Sequence, residues 1–151
     1  MKIWILTGEF APDFGGGIGT YVENCAKMFQ KHGDEVTVIV RSNHNSVIET
    51  AKDGYRIVRF KMNLEADYYQ FLGYENGLAY QYYLTVMDLI EKFGKPDVIE
   101  TQEYNAYGQY VIQNKLTLKP ELQDIPVVVH LHTPAFETNR INQFPTYKLP
   151  E

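Results

Sequence analysis

The chain has 151 residues, 44% of them hydrophobic and 22% charged, with 19 acidic against 14 basic side chains and a formal charge of -5. This composition suits one folded domain, excludes a disordered chain, and offers no broad attraction for nucleic acid or anionic lipid. The single cysteine, Cys25, leaves no internal disulfide, and no apolar run reaches the length of a secretory leader or a membrane span. A cytoplasmic protein with a buried thiol, no nucleic-acid partner and no transmembrane segment is expected.

Lys2 to Thr7 is a short apolar run followed by Gly8, Pro12 and a glycine triplet, which reads as a buried strand ending in a loop. A helix follows, because Ile18, Tyr21, Val22, Cys25, Met28, Phe29 and His32 recur every three or four positions and Gly33 stands where a helix stops. Glu35 to Val40 is a β-branched run of the kind buried in parallel sheets, and Tyr55 to Phe60 is a third strand nearer the sheet edge. From Tyr74 to Phe93 a stripe of Leu78, Tyr82, Val86, Leu89, Ile90 and Phe93 predicts a helix ended by Gly94 and Pro96. A strand at Asp97 to Glu100, a helix at Tyr104 to Leu116, a loop at Pro120 to Pro126 and a buried strand at Val127 to Leu131 complete the series.

Such alternation implies an α/β fold, a parallel sheet with helices on both faces and ligands beyond the carboxyl ends of the strands. Those ends carry Gly8 to Gly19, Arg41 to Asn45, Thr101 to Tyr104 and His132 to Pro134, so the unusual residues gather on one rim. The tail from Ala135 to Glu151 is polar and supplies no element to close the domain, as if the chain were cut short.

Asp13 to Val22 reads D-F-G-G-G-I-G-T-Y-V, a glycine-rich turn delivering the chain into a helix start. Glycines let a backbone approach a ligand and adopt positive φ, and the helix start adds about half a positive charge, which suits a diphosphate or a sugar oxygen. The dinucleotide fingerprint fails, since its last glycine would fall on Thr20, and the phosphate-loop ending G-K-[ST] is missing. A tight turn with no ligand is the plainer alternative.

P-D-F-G-G-G-I-G-T-Y-V-E-N-C-A-K followed by H-G-D-E-V-T-V-I-V resembles the opening of group-1 retaining glycosyltransferases. P-D-V-I-E-T-Q-E-Y is similar to the fourth-strand segment of that family, and V-V-V-H-L-H-T to the fifth strand with its terminal His-Thr. The resemblance spans Met1 to about Thr133. It implies the amino-terminal, acceptor-side Rossmann-like half of a GT-B fold over residues 1 to 151, with the carboxyl-terminal nucleotide-sugar domain outside this chain. It further implies transfer from a nucleotide diphosphate sugar to an acceptor hydroxyl, with no metal or other cofactor. By the same resemblance Gly16, Gly17 and Ile18 bind donor or acceptor, and His132 with Thr133 meets the donor sugar near the reacting carbon. Phe14 stands where glycogen-synthase-like relatives carry a lysine, which speaks against ADP-glucose polymerisation.

His130 and His132 are two apart on a strand and so share a face, with His132 at the rim. As a zinc pair they would lack a third ligand. Glu103 follows a strand end and is a candidate to hold an acceptor hydroxyl, while Glu100 reads either as its hydrolytic partner or as a satisfied strand residue. Glu9, Asp13, Arg41 and Asn43 lie on the same rim as loop-capping or solvated residues. Tyr68, Tyr69, Phe71, Tyr74, Tyr80, Tyr82 and Tyr83 offer either stacking platforms for an acceptor sugar or helix packing. Other readings of the whole are a non-catalytic nucleotide-sugar or phosphate-binding module, and another GT-B enzyme such as a sugar phosphorylase or epimerase. With the partner domain missing, an uncovered rim and self-association are expected.

Overall fold

Residues 1–13, 15–132, 137 and 140–142 are described by the computed structural model. The apolar runs become strands of one sheet: β1 (Lys2–Thr7), β2 (Glu35–Ser42), β3 (Val47–Thr50), β4 (Arg56–Lys61), β5 (Val98–Gln102) and β6 (Val127–His130). The helices are α1 (Gly17–Lys31), α2 (Asp67–Phe93) and α3 (Gln109–Leu116). Strand order is β3-β4-β2-β1-β5-β6, every neighbour pair parallel except β3 with β4.

Alternate residues of each central strand enter different cores. Ile3, Ile5, Val36, Val38, Val40 and Ile57 pack under Val22 and Ala26 of α1. Trp4, Leu6, Ile39, Val58, Phe60 and Ile99 face Leu78, Tyr82, Val86 and Leu89 of α2, together with Val111 of α3. A period of two with both faces apolar is what a sheet covered on both sides requires. Gly33 at φ 89° ends α1, with the Gly33 amide bonded to the Gln30 carbonyl and the Asp34 amide to that of Phe29. That double closure satisfies carbonyls the helix leaves open.

Three expectations need correction. The sheet is not wholly parallel, because Val47–Thr50 forms an antiparallel edge strand with β4 across a turn held by Ala51, Tyr55 and Gly54 at φ 93°. A connection this short can only join antiparallel strands. The long helix starts before Tyr74: Asp67 opens it, and Gly73 at φ 74° bends the chain between an entry segment and the stretch read from the sequence. The helix placed at Tyr104 begins at Gln109, since Asn105 and Ala106 take left-handed φ of 56° and 49° and leave only a 3-10 turn over Tyr104–Ala106.

Candidate functional site at the carboxyl rim

Thr7 ends β1, and its hydroxyl both donates to the Glu9 carbonyl (3.0 Å) and accepts from the Glu9 amide (3.2 Å), which turns the chain into the glycine loop. Tyr82 of α2, fully buried, donates its hydroxyl to the Thr7 carbonyl and accepts from the Arg41 amide (3.2 Å). One phenol therefore ties the carboxyl ends of β1 and β2 and fixes where the loop departs. From the other side of the sheet, buried Arg59 of β4 donates to the Ala11 carbonyl and to Glu49 (2.8 Å), and pairs with Asp13 at 3.6 Å. The loop is thus held by two straps, Tyr82 and Arg59. The sequence marked Tyr82 as part of a helical stripe and of an aromatic stretch open to packing or stacking, and gave Arg59 no role, because their value lies in contacts with residues far away in the chain.

At the start of α1, Gly15, Gly16 and Gly17 are exposed, and Gly16 caps the helix with extended backbone at φ 171°. None of the three has the positive φ for which glycine is uniquely suited, which corrects that part of the expectation. The anion seat is already taken. Glu9 accepts from the Gly19 amide (3.4 Å), and a Cβ on Gly16 would lie 2.1 Å from its carboxylate oxygen. A helix with neither a side-chain cap nor an acidic first turn here receives its negative charge from Glu9 across the loop. Ile18 packs its side chain into the α1 core, so only its amide belongs to the rim.

His130 and His132 do share a face, their ring centroids 4.6 Å apart. Tyr21 of α1 lies against both, at 4.5 Å from His130 and 5.0 Å from His132, the latter edge to face. Tyr21 stands four residues after Gly17, or about 6 Å along a helix, so the glycine turn and His132 meet at one place. The His132 amide donates to both oxygens of Glu103 at 2.9 Å. Glu103 thereby grips the end of β6. Nε2 of His132 is buried with no hydrogen-bond partner among the described residues. Thr133 and Phe14 lie outside the described residues.

Glu100 and Glu103 have different partners: the Glu100 carboxylate accepts from the Tyr21 hydroxyl at 3.0 Å. Cys25 is half-buried on the same helix, and burial pushes its thiol up. Of the aromatic stretch, Tyr69, Tyr82 and Tyr83 are buried and serve packing, whereas Phe71 is 87% exposed. A groove of about 500 Å³ between β3–β4 and α2 includes Arg59, Lys61 and Tyr68 but neither the glycine loop nor His132. Among the described residues no three His, Cys, Asp or Glu side chains come together as metal ligands, and no helix is long and apolar enough to cross a membrane.

Residues 15–150 match the family described as Glycosyltransferase Family 4. The chain belongs to that family. No curated protein matches it. Among solved structures it is similar to the catalytic domain of starch synthase IV from Arabidopsis thaliana bound to ADP and acarbose, with a TM-score of 0.68 and 16% identity. That match covers 87% of this chain and 34% of the plant structure, so the chain spans about a third of the length of that structure. At this identity the likeness concerns the fold, an amino-terminal Rossmann-like domain of a GT-B glycosyltransferase. The mixed edge strand β3 is compatible with it, since large α/β sheets often carry one antiparallel edge.

Proposed function

We propose that this chain is the acceptor-side domain of a retaining glycosyltransferase that moves a sugar from a nucleotide diphosphate sugar to an acceptor hydroxyl. The observation that carries this reading is the contact of Tyr21 with His132, which brings the glycine turn and the histidine just beyond β6 together at one rim. In this reading the bond from the anomeric carbon to the diphosphate oxygen breaks, and the acceptor oxygen bonds to the same face. The acceptor proton leaves with the diphosphate. His132 is the catalytic residue and faces the reacting sugar, where a hydrogen bond to developing charge is worth most. The backbone of Gly16, Gly17 and Ile18 meets the donor or acceptor, with Glu9 yielding its place or bridging to a sugar hydroxyl. Glu103 holds His132, and Thr133 completes the His-Thr end of the strand. No metal is needed, since helix amides and basic side chains of a second domain neutralise the leaving diphosphate.

The second domain closes the other wall of the cleft and supplies the base pocket, and the protein works in the cytoplasm. The isolated chain is inactive for want of that wall. Its plant structural neighbour was solved with ADP, which supports a nucleotide diphosphate as the leaving group here. The test is His132→Ala in the two-domain enzyme: turnover falls on the order of a hundredfold with the circular dichroism spectrum unchanged. Wild-type turnover in that variant removes His132 from the mechanism. Product formation from any sugar nucleotide by the isolated chain removes the need for a second domain.

A further inference from the structure

The Tyr21 hydroxyl sits 3.0 Å from Oε1 of Glu100 and 3.0 Å from Nδ1 of His130. A phenol has one proton to give, and a carboxylate has none. If that proton went to His130, the Tyr21 and Glu100 oxygens would face each other with lone pairs only, an unfavourable contact at 3.0 Å. The arrangement is satisfied in one direction alone: Nδ1–H of His130 donates to Tyr21, and Tyr21 donates to Glu100. We propose that Tyr21 is the positioning residue of this site, orienting the His130–His132 pair through a directed chain His130→Tyr21→Glu100 and tying it to the glycine-loop helix.

Three elements converge on the chain: β5 brings Glu100, α1 brings Tyr21, and β6 brings His130 with His132 beyond it. Burial first, then the neighbouring Cys25 and the charge of Glu100, push the Tyr21 phenol far above its ordinary range, so it remains a proton donor. The ring of His132 closes a triangle with the rings of Tyr21 and His130, each within 5.0 Å of the next, and its backbone is held by Glu103. A shift of α1 at the glycine loop is thereby passed to His132 through Tyr21.

The positioning role rests on the proposed part of His132 in transfer, whereas the tautomer of His130 does not, and the experiment separates them. In nitrogen-15 imidazole spectra of this chain, His130 is expected as the Nδ1–H form. Tyr21→Phe, which keeps the ring and removes the hydroxyl, is expected to release that tautomer and shift the His132 ring signals while the fold persists. A wild-type His130 in the Nε2–H form, or unchanged imidazole signals in Tyr21→Phe, overturns the proposal. In the two-domain enzyme the same variant should lower kcat about tenfold, the scale of one hydrogen bond, with the donor KM unchanged. Wild-type kcat for Tyr21→Phe beside an impaired His132→Ala overturns the positioning role alone. Wild-type kcat for His132→Ala overturns the site reading and the positioning role together, leaving the tautomer to the imidazole spectra alone.

Discussion

Gly8 and Gly17 lie on the same loop and are glycine for different reasons. A Cβ on Gly8 would come within 2.1 Å of the Tyr107 hydroxyl and 2.5 Å of two of its ring carbons, and that ring is fully packed. Nothing lies within 4 Å of a Cβ on Gly17, and its φ is not left-handed, so no steric demand of this fold keeps it glycine. Gly8→Ala should therefore cost about 1–3 kcal/mol, the usual penalty for overpacking. Gly17→Val should change stability by no more than about 0.5 kcal/mol, as a surface substitution does. Urea denaturation followed by the emission of Trp4, the one tryptophan and fully buried, reads both. In the two-domain enzyme Gly17→Val should still depress transfer, because its side chain would stand before the helix amides. A Gly17→Val chain that unfolds early would make any loss of transfer a folding effect. His130 belongs to the same cluster, since its ring packs on His132 and its Nδ1 meets Tyr21.

At the scale of elements, the buried strands were legible because their composition leaves no alternative: K-I-W-I-L-T and E-V-T-V-I-V are too apolar for a surface and too short for a helix. β3 was not, since V-I-E-T is exposed along its whole length and only the Asp53-Gly54 turn beside it hinted at a hairpin. Gly73 escaped notice because a helical stripe resumes after it, and the left-handed Asn105 and Ala106 because nothing in their side chains demands that backbone. The site followed the same division. Glycines and histidines announce themselves by type, while Tyr21, Arg59 and Tyr82 matter through partners that only folding brings near. β6 was predicted as a buried strand, yet it is the edge of the described sheet, with Val128 50% and Val129 43% exposed. An uncovered edge strand of valines invites pairing with another copy. Sedimentation of the isolated chain should show mass rising with concentration, and Val129→Lys should suppress it. A monomer at every concentration, or association unaffected by that lysine, would mean that the edge is not the contact.

For the molecule as a whole, the tyrosines that frame the site also set its alkaline limit. Tyr69, Tyr82 and Tyr107 are each under 10% exposed, and burial is the first cause raising the phenol above its ordinary value in all three. An unfolded tyrosine ionises near pH 10, whereas burial holds these protonated to higher pH while the chain is folded. Above that pH the unfolded state therefore binds fewer protons than the native one, and stability falls as pH rises. The contribution is fully present below about pH 10 and is lost progressively above it, at about 1.4 kcal/mol per pH unit for each such group. Three of them together remove at most about 4 kcal/mol per unit, against a total of about 5–15 kcal/mol for an ordinary domain. Cooperative unfolding is thus expected one to a few units above about pH 10. The measurement pairs tyrosinate absorbance with Trp4 emission in one titration. The buried fraction of the absorbance should rise only as Trp4 becomes wet, because Tyr82 holds the ends of β1 and β2 and cannot ionise in place without releasing them. Complete tyrosinate formation around a still-native Trp4 would mean that the Tyr82 strap opens on its own, and with it the frame that fixes the glycine loop.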